Sequence, residues 1–147
     1  MILQASQFLA TLSTTLFCGA AIYINVAEHP SRTDLDNRSA AAQWAASYKR
    51  ATWMQAPLAI MGFLGGIGSW MIGGGLLWLI AALFIGAVVP LTLIFAMPTN
   101  KRLLSADRGL TSPDTRELLE RWGKIHTVRT VLSAVATMLM FWTLFNR

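Results

Sequence analysis

Apolar residues fill three stretches of the chain, and the charged residues lie between them. Residues 1–27, 51–100 and 130–146 contain no Asp, Glu, Lys or Arg. A helix needs about 20 apolar residues to cross the roughly 30 Å hydrocarbon core of a bilayer. The first and last stretches are each long enough for one span, and the middle stretch is long enough for two. The pattern therefore predicts an all-α fold, an antiparallel bundle of four transmembrane helices.

The middle stretch divides at a run of glycines. Gly73, Gly74 and Gly75 are consecutive, and each glycine weakens a helix by about 1 kcal/mol relative to alanine. A turn at this point gives four spans within a single domain, residues 1–147. The predicted spans cover residues 4–27, 54–70, 76–96 and 125–145.

Prolines predict where several helices end or bend. Proline disfavours helical geometry in the residue before it, so Pro30 predicts the end of helix 1 and Pro98 the end of helix 3. Pro57 and Pro90 lie inside predicted helices, where a proline commonly produces a kink.

Two polar segments predict helices that continue outside the membrane. The alanine-rich segment 39–56 predicts an extension of helix 2, with Trp44 and Trp53 at the headgroup boundary, where aromatic rings are enriched. A polar linker at 105–111 precedes Ser112, the predicted N-cap of an extension of helix 4.

The charged residues are confined to two windows and carry a formal net charge of +5. Residues 28–50 and 101–129 hold all of them except Arg147. In a soluble protein this charge would suggest nucleic acid, but the cytoplasmic loops of membrane proteins carry an excess of Lys and Arg. We therefore predict cytoplasmic loops at 28–53 and 97–124, with both termini across a bacterial inner membrane. The predicted partner is the lipid bilayer, and nucleic acid is excluded.

Two groups of chemically active side chains lie at the charged edge of the predicted bundle. The first is Asn25-x-x-Glu28-His29 and the second is Trp122-x-x-x-His126-x-x-Arg129. Steps of three and four residues place the second group on one helical face. Glu28, His29 and His126 could transfer protons, and Arg129 could bind an anionic oxygen. The corresponding edge of helices 2 and 3 carries Tyr48, Gln55 and Asn100. The alternative is that Glu28 pairs with a basic residue and that the other residues only anchor the ends of the helices.

Metal and haem sites are the other chemical alternatives. Two histidines and a carboxylate form the ligand set of many non-haem iron sites. Adjacent Glu28 and His29 would point about 100° apart on a helix, however, so joint ligation requires a break in it. His29 and His126 could instead bind a haem axially, although such histidines normally lie within the spans. We therefore predict no metal site and no cofactor, and keep iron and haem as alternatives.

The order and spacing of these motifs resemble the anthrone oxygenase-like family of small four-helix membrane proteins. The resemblance covers essentially the whole chain and rests on four segments: Tyr23-Ile24-Asn25-x-x-Glu28-His29-Pro30, Tyr48-Lys49-Arg50 with Gln55, Met97-Pro98-Thr99-Asn100-Lys101, and Arg121-Trp122-x-x-x-His126-x-x-Arg129.

The resemblance implies an activity and a set of site residues. Named fungal members oxidise polyketide anthrones to anthraquinones with molecular oxygen and without a metal or organic cofactor. The positions that match the family pattern are Glu28, His29, Asn100, Trp122, His126 and Arg129. Among these, we expect His126 to act as the base and Arg129 to stabilise a phenolate. Trp122 and Tyr48 are expected as aromatic walls, and the polar residues expected to contact substrate are Asn25, Gln55 and Asn100.

Two functional classes follow from the sequence. The first is an oxidoreductase with a cavity for a hydrophobic aromatic or quinoid molecule. The second is a non-catalytic membrane protein, either an accessory subunit or a bundle that binds lipid or quinone. The physiological substrate and the oligomeric state are left open, and a homo-oligomer is compatible with both classes.

Overall fold

Four long helices make up the part of the chain that the computed structural model describes, residues 1–105 and 112–146, and no strand occurs there. Each helix is long and apolar enough to cross a membrane. The predicted all-α fold with four candidate spans is therefore confirmed, and the helices indicate an integral membrane protein. The helices are helix 1 (Ile2–Thr33), helix 2 (Asn37–Gly74), helix 3 (Leu76–Leu104) and helix 4 (Thr115–Phe145). Apart from Ser105, the predicted linker at 105–111 lies outside the described residues.

Helices 1 and 3 each pack against both helix 2 and helix 4. Ser6 Oγ donates a hydrogen bond to the Gly65 carbonyl over 2.8 Å, and Ser47 Oγ donates to the Glu28 carboxylate. Residue numbers thus rise along helix 1 as they fall along helix 2. The predicted turn between helices 2 and 3 is present, and Gly73 and Gly75 adopt φ angles of 91° and 98°, which glycine enters readily because it lacks a Cβ.

Buried apolar side chains form two clusters, one at each end of the bundle. The uncharged end is filled mainly by small and aliphatic residues with two aromatic rings, including Ala10, Phe17, Trp78, Ile85 and Met140. The charged end, where the two charged windows meet, is built around two tryptophans and several leucines: Trp44, Leu103, Leu118, Leu119 and Trp122.

The predicted end of helix 1 at Pro30 is wrong, because the helix continues to Thr33. Regular α-helix covers Ile2–Tyr23 and is followed by a wider π-helical turn at Ile24–Glu28, in which the N–H of His29 donates to the Ile24 carbonyl. A proline in a regular helix lacks an N–H and clashes with the carbonyl four residues earlier. The wider turn shifts the register, so that Pro30 stands in the first turn of a new segment, where proline is tolerated.

The predicted end of helix 3 at Pro98 is wrong for the same reason. After segments Leu76–Gly86 and Val88–Leu91, a second π-helical turn at Thr92–Ala96 precedes the segment Met97–Leu104. The N–H of Met97 donates to the carbonyl of Thr92, and Pro98 again follows in the first turn. Much of the two predicted loops, 28–53 and 97–124, is consequently helical.

Helices 2 and 4 begin at polar caps. The Asp36 side chain accepts hydrogen bonds from the backbone N–H groups of Arg38 and Ser39, at 3.0 and 3.1 Å. The predicted N-cap at Ser112 is wrong by two residues, because the cap is Asp114. Ser112 belongs to the preceding turn, where its hydroxyl donates to the Asp114 carboxylate over 2.5 Å. The interfacial position of the extensions stays a prediction.

Candidate functional site

A cavity of about 200 Å³ lies between the four helices at the charged end of the bundle. All four helices contribute to its lining, which is mostly apolar. Six of the nine predicted site residues line it: Glu28, Tyr48, Gln55, Trp122, His126 and Arg129. The helical registers thus bring together residues that are up to 101 positions apart.

His126 is held against the face of Trp122. The two residues are four positions apart on helix 4, and their rings stack with centroids 4.9 Å apart and planes 10° apart. Only 2% of His126 is exposed. Neither ring nitrogen makes a hydrogen bond within the described residues, although the carbonyl of Ala21 lies nearby. A neutral imidazole in this position can accept a proton from a molecule in the cavity.

Arg129 lies on the same face of helix 4, one turn further into the bundle. Its Nη2 donates to the amide oxygen of Gln55 over 3.0 Å, and its Cζ lies 5.5 Å from the centroid of the Phe17 ring. Among the described residues, no carboxylate forms an ion pair with it. Arg129 is half-buried, and a charge that is partly removed from water favours an opposite charge beside it. This part of the cavity therefore favours an anionic ligand.

Glu28 is already neutralised by Arg32, one of the basic residues of the first charged window. Arg32 Nη2 lies 2.5 Å from the Glu28 carboxylate, which also accepts from Gln43 over 3.3 Å and from Ser47. Arg32 is itself only 2% exposed, and its Cζ lies 5.5 Å from the Trp122 ring centroid. Three donors thus contact the Glu28 carboxylate.

Aromatic rings form a continuous wall along one side of the cavity. Tyr48 stacks on Trp44 with centroids 4.9 Å apart, and Trp44 meets Trp122 edge-on at 6.1 Å. The side chain of Trp44 is fully buried, whereas its position at the headgroup boundary stays a prediction. The spacing of four residues between Trp44 and Tyr48 on helix 2 was the signal for their shared face.

The decisive comparison is with known protein families. The sequence model of one family, anthrone oxygenase, matches residues 44–139, more than half of the chain. The chain belongs to the anthrone oxygenase family. Comparisons with curated proteins and with solved structures found no match.

The family match separates the predicted site residues into two sets. Six of them lie within the matched segment: Tyr48, Gln55, Asn100, Trp122, His126 and Arg129. Asn25, Glu28 and His29 precede it. Of these nine residues, Glu28 is the cavity-lining residue that the match does not cover.

Three predicted site residues do not line the cavity of this anthrone oxygenase family member. Asn25 Nδ2 donates to Thr130 Oγ1 over 3.0 Å and so ties helix 1 to helix 4. The His29 ring lies 5.5 Å from the Trp122 ring centroid, on Gly123 of helix 4. Asn100 is 1% exposed on helix 3. The first two contacts join helices, which is a packing role.

The iron and haem alternatives find little support in the arrangement of donors. The described residues contain no group of three or more His, Cys, Asp or Glu side chains placed to bind a metal ion. The ring of Trp122 is in contact with both His29 and His126. A ligand bound by the two histidines would have to displace this tryptophan. The absence of a cofactor stays a prediction.

Proposed function

We propose that this protein oxidises a hydrophobic, phenolic aromatic molecule of the anthrone type with molecular oxygen, in the cavity at the charged end. The observation that carries the proposal is Arg129, a guanidinium inside the bundle whose hydrogen-bond partner, Gln55, is neutral. One helical turn away lies His126, with both ring nitrogens unbonded among the described residues. A cation for an oxyanion and a base for a proton are thus adjacent in an apolar, aromatic cavity.

The reaction requires a base and an anion site rather than a covalent intermediate with the protein. His126 removes a proton from the activated methylene carbon, and the negative charge spreads to the ring carbonyl opposite, which becomes a phenolate oxygen that Arg129 stabilises. The electron-rich anion transfers an electron to O2, and the two radicals combine into a peroxide anion at that carbon. His126 returns its proton to the peroxide, and loss of water then leaves a carbonyl group. Overall, one CH2 group and one O2 become one C=O group and one H2O.

His126 is a better candidate for the base than Glu28. The Glu28 carboxylate is occupied by Arg32, Gln43 and Ser47, whereas His126 contacts Trp122 through its ring face. The stacking fixes the plane of the imidazole and leaves both nitrogens at its edge. Its orientation therefore does not depend on a hydrogen bond that proton transfer would disrupt.

Oxygen consumption and quinone absorbance of the purified protein in detergent, supplied with an anthrone, test this proposal. We expect Arg129→Gln to slow quinone formation at least about tenfold, because each 1.4 kcal/mol of lost transition-state stabilisation costs a factor of ten. Arg102→Gln is the matched control, since it removes a guanidinium that is 61% exposed. It should keep the wild-type rate.

Equal rates for wild type, His126→Ala and empty micelles would exclude the oxygenase function. Saturable binding of a quinone without any oxygen consumption would instead favour the non-catalytic alternative, a lipid- or quinone-binding bundle. Metal analysis and the visible spectrum of the same sample test the iron and haem alternatives.

A further inference from the structure

The cavity shares part of its wall with a groove on the outside of the bundle. The groove lies between helix 2 and the end of helix 3, and Tyr48, Thr52 and Ala56 line both the groove and the cavity. Tyr48 is half-buried, whereas Thr52 and Ala56 are exposed. A single layer of side chains therefore separates the cavity from the surroundings at this point. We call these three residues the wall.

Helices 2 and 3 pack most closely at the uncharged end. A methyl group added at Gly66 would lie 2.8 Å from Ala82 Cβ, and one added at Gly86 would lie 2.6 Å from the Phe63 ring. Regular helix is interrupted after Gly86, and the short segment Val88–Leu91 and the π-helical turn Thr92–Ala96 follow. The two helices are therefore tightly packed on one side of Gly86 and leave room for the groove on the other.

The chemistry of the groove suits an apolar molecule that arrives from the bilayer. Beyond the wall, its lining is apolar apart from Lys49. Trp53 on helix 2 is 77% exposed and Leu104 on helix 3 is 51% exposed. A second, more polar depression lies between helices 1 and 2 and also shares residues with the cavity, namely Glu28, Ser47 and Ala51. Its lining carries more polar and charged side chains than the groove, among them Gln43 and Arg50. A hydrophobic ligand would make fewer favourable contacts there than in the groove.

The size of the cavity gives an independent reason for a connection. Ligand sites typically have volumes of roughly 300–1,000 Å³, and this cavity has about 200 Å³. A ligand with several fused rings therefore cannot enter unless part of the lining moves, and the wall is the thinnest part of it. The wall is then displaced during entry and closes again behind the bound ligand.

We propose that the substrate enters laterally from the interfacial region of the bilayer, between helices 2 and 3, by displacing the wall of Tyr48, Thr52 and Ala56. This entrance rests on the proposed function, because it assumes that the cavity binds a hydrophobic aromatic molecule. Tyr48 stacks on Trp44, and the Thr52 hydroxyl donates to the Tyr48 carbonyl over 2.9 Å. Rotation of the Tyr48 and Thr52 side chains opens the wall without disrupting the backbone of helix 2.

An entrance has a kinetic signature that a binding residue lacks. A side chain that only obstructs the path raises the barrier equally for entry and exit. Association and dissociation then slow by the same factor, and Kd is unchanged. Stopped-flow quenching of tryptophan fluorescence by a dihydroxyanthraquinone, with the full-length protein in detergent, measures both rates and Kd.

Three Trp substitutions place bulk on either side of the entrance or away from it. Thr52→Trp enlarges the wall, and Leu104→Trp narrows the groove from helix 3 without touching the cavity. Ala46→Trp is the control, because Ala46 lies on helix 2 in the polar depression. We expect Thr52→Trp and Leu104→Trp to slow association and dissociation about tenfold each and to change Kd by less than about twofold. Ala46→Trp should change either rate by less than about twofold.

The outcomes separate the entrance from the proposed function. Slowing by Ala46→Trp but not by Leu104→Trp would place the entrance between helices 1 and 2 and overturn the proposal. A raised Kd in both Thr52→Trp and Leu104→Trp, with an unchanged association rate, would also overturn the proposal. If Thr52→Trp loses its helix content, Leu104→Trp decides alone. If the wild type shows no saturable quenching, binding of the ligand in the cavity is excluded, and the proposed entrance is excluded with it.

Discussion

The two ends of this four-helix bundle differ in how closely their helices pack and in how regular those helices are. At the uncharged end, small residues let the helix backbones touch, as at Gly66 and Ala82. At the charged end, the π-helical turns Ile24–Glu28 and Thr92–Ala96 interrupt helices 1 and 3, and residues of both turns line the cavity. Close packing provides rigidity at one end, whereas altered helical register provides space and places ionisable groups around it at the other. π-Helical turns are often found at functional sites.

The comparison predicts that substitutions at the cavity end reduce activity far more than stability. His126→Ala should lower the rate of anthrone oxidation by about 10²–10⁴-fold, the usual contribution of a general base. Its thermal unfolding in detergent should stay close to wild type, because the ring packs mainly on Trp122. A loss of folded protein that parallels the loss of activity would contradict the assigned role.

The two ion pairs of the described residues should differ in their contribution to stability. Glu28→Ala leaves Arg32 buried without its carboxylate, which should cost roughly 3 kcal/mol. The double variant Glu28→Gln/Arg32→Gln should recover most of that loss. The matched pair is Arg102–Asp114, in which the arginine is 61% exposed, and Arg102→Gln should cost less than about 1 kcal/mol. Equal costs in denaturant titrations would show that Arg32 is not buried in the folded protein.

Arg32 also shows where sequence-based reasoning ends. The charge windows and glycine turn were sufficient to predict four apolar helices, because hydropathy depends on composition over about 20 residues. Glu28 and Arg32 are four positions apart, so they pair only if helix 1 continues past Pro30. The sequence left a basic partner for Glu28 open as an alternative, but a rule that ends helices at proline does not identify Arg32 as that partner.

The register of a π-helical turn is equally hard to predict. A π-helical turn contains one more residue than an α-helical turn, so it rotates all the side chains that follow it around the helix axis. The proline after the turn is then taken for the end of the helix. His126 and Arg129 were predictable because helix 4 is regular over their spacing. Asn25 was predicted to contact substrate but bonds to Thr130, since it lies within the π-helical turn of helix 1.

A pair of glycine substitutions tests the close packing at the uncharged end. Gly66→Ala would place a methyl group 2.8 Å from Ala82 Cβ, whereas nothing lies within 4 Å of a methyl group at Gly19. We expect Gly66→Ala to destabilise the bundle by roughly 1–3 kcal/mol and Gly19→Ala to be neutral or to stabilise it by up to about 1 kcal/mol. The activity per folded molecule should be unchanged in both. Similar melting temperatures for the two variants would argue against the close approach of helices 2 and 3.

The smallest effect concerns the start of helix 2, outside both ends of the core. Hydrogen bonds from the Ser39 hydroxyl and N–H lower the pKa of Asp36 below its usual value of 3.8. Because the pKa of Asp36 is lowered in the folded protein, its ionised carboxylate stabilises the fold at pH values above 3.8. This contribution is lost as the pH falls through the lowered pKa. Asp36→Asn keeps an N-cap acceptor without titrating. Its first helical turn should therefore not fray further in acid, in contrast to wild type, as measured by amide hydrogen exchange.

The most direct test of an anion site at the charged end is the ionisation of a bound phenol. A hydroxyanthraquinone changes its visible absorbance when it loses a proton, so its pKa can be measured while it occupies the protein. If Arg129 stabilises the phenolate, the pKa of the bound phenol in wild type should be at least about 1 lower than in empty micelles, equivalent to about 1.4 kcal/mol. Arg129→Gln should abolish that difference and Arg102→Gln should preserve it. The same phenol pKa in wild type and Arg129→Gln would contradict the anion site.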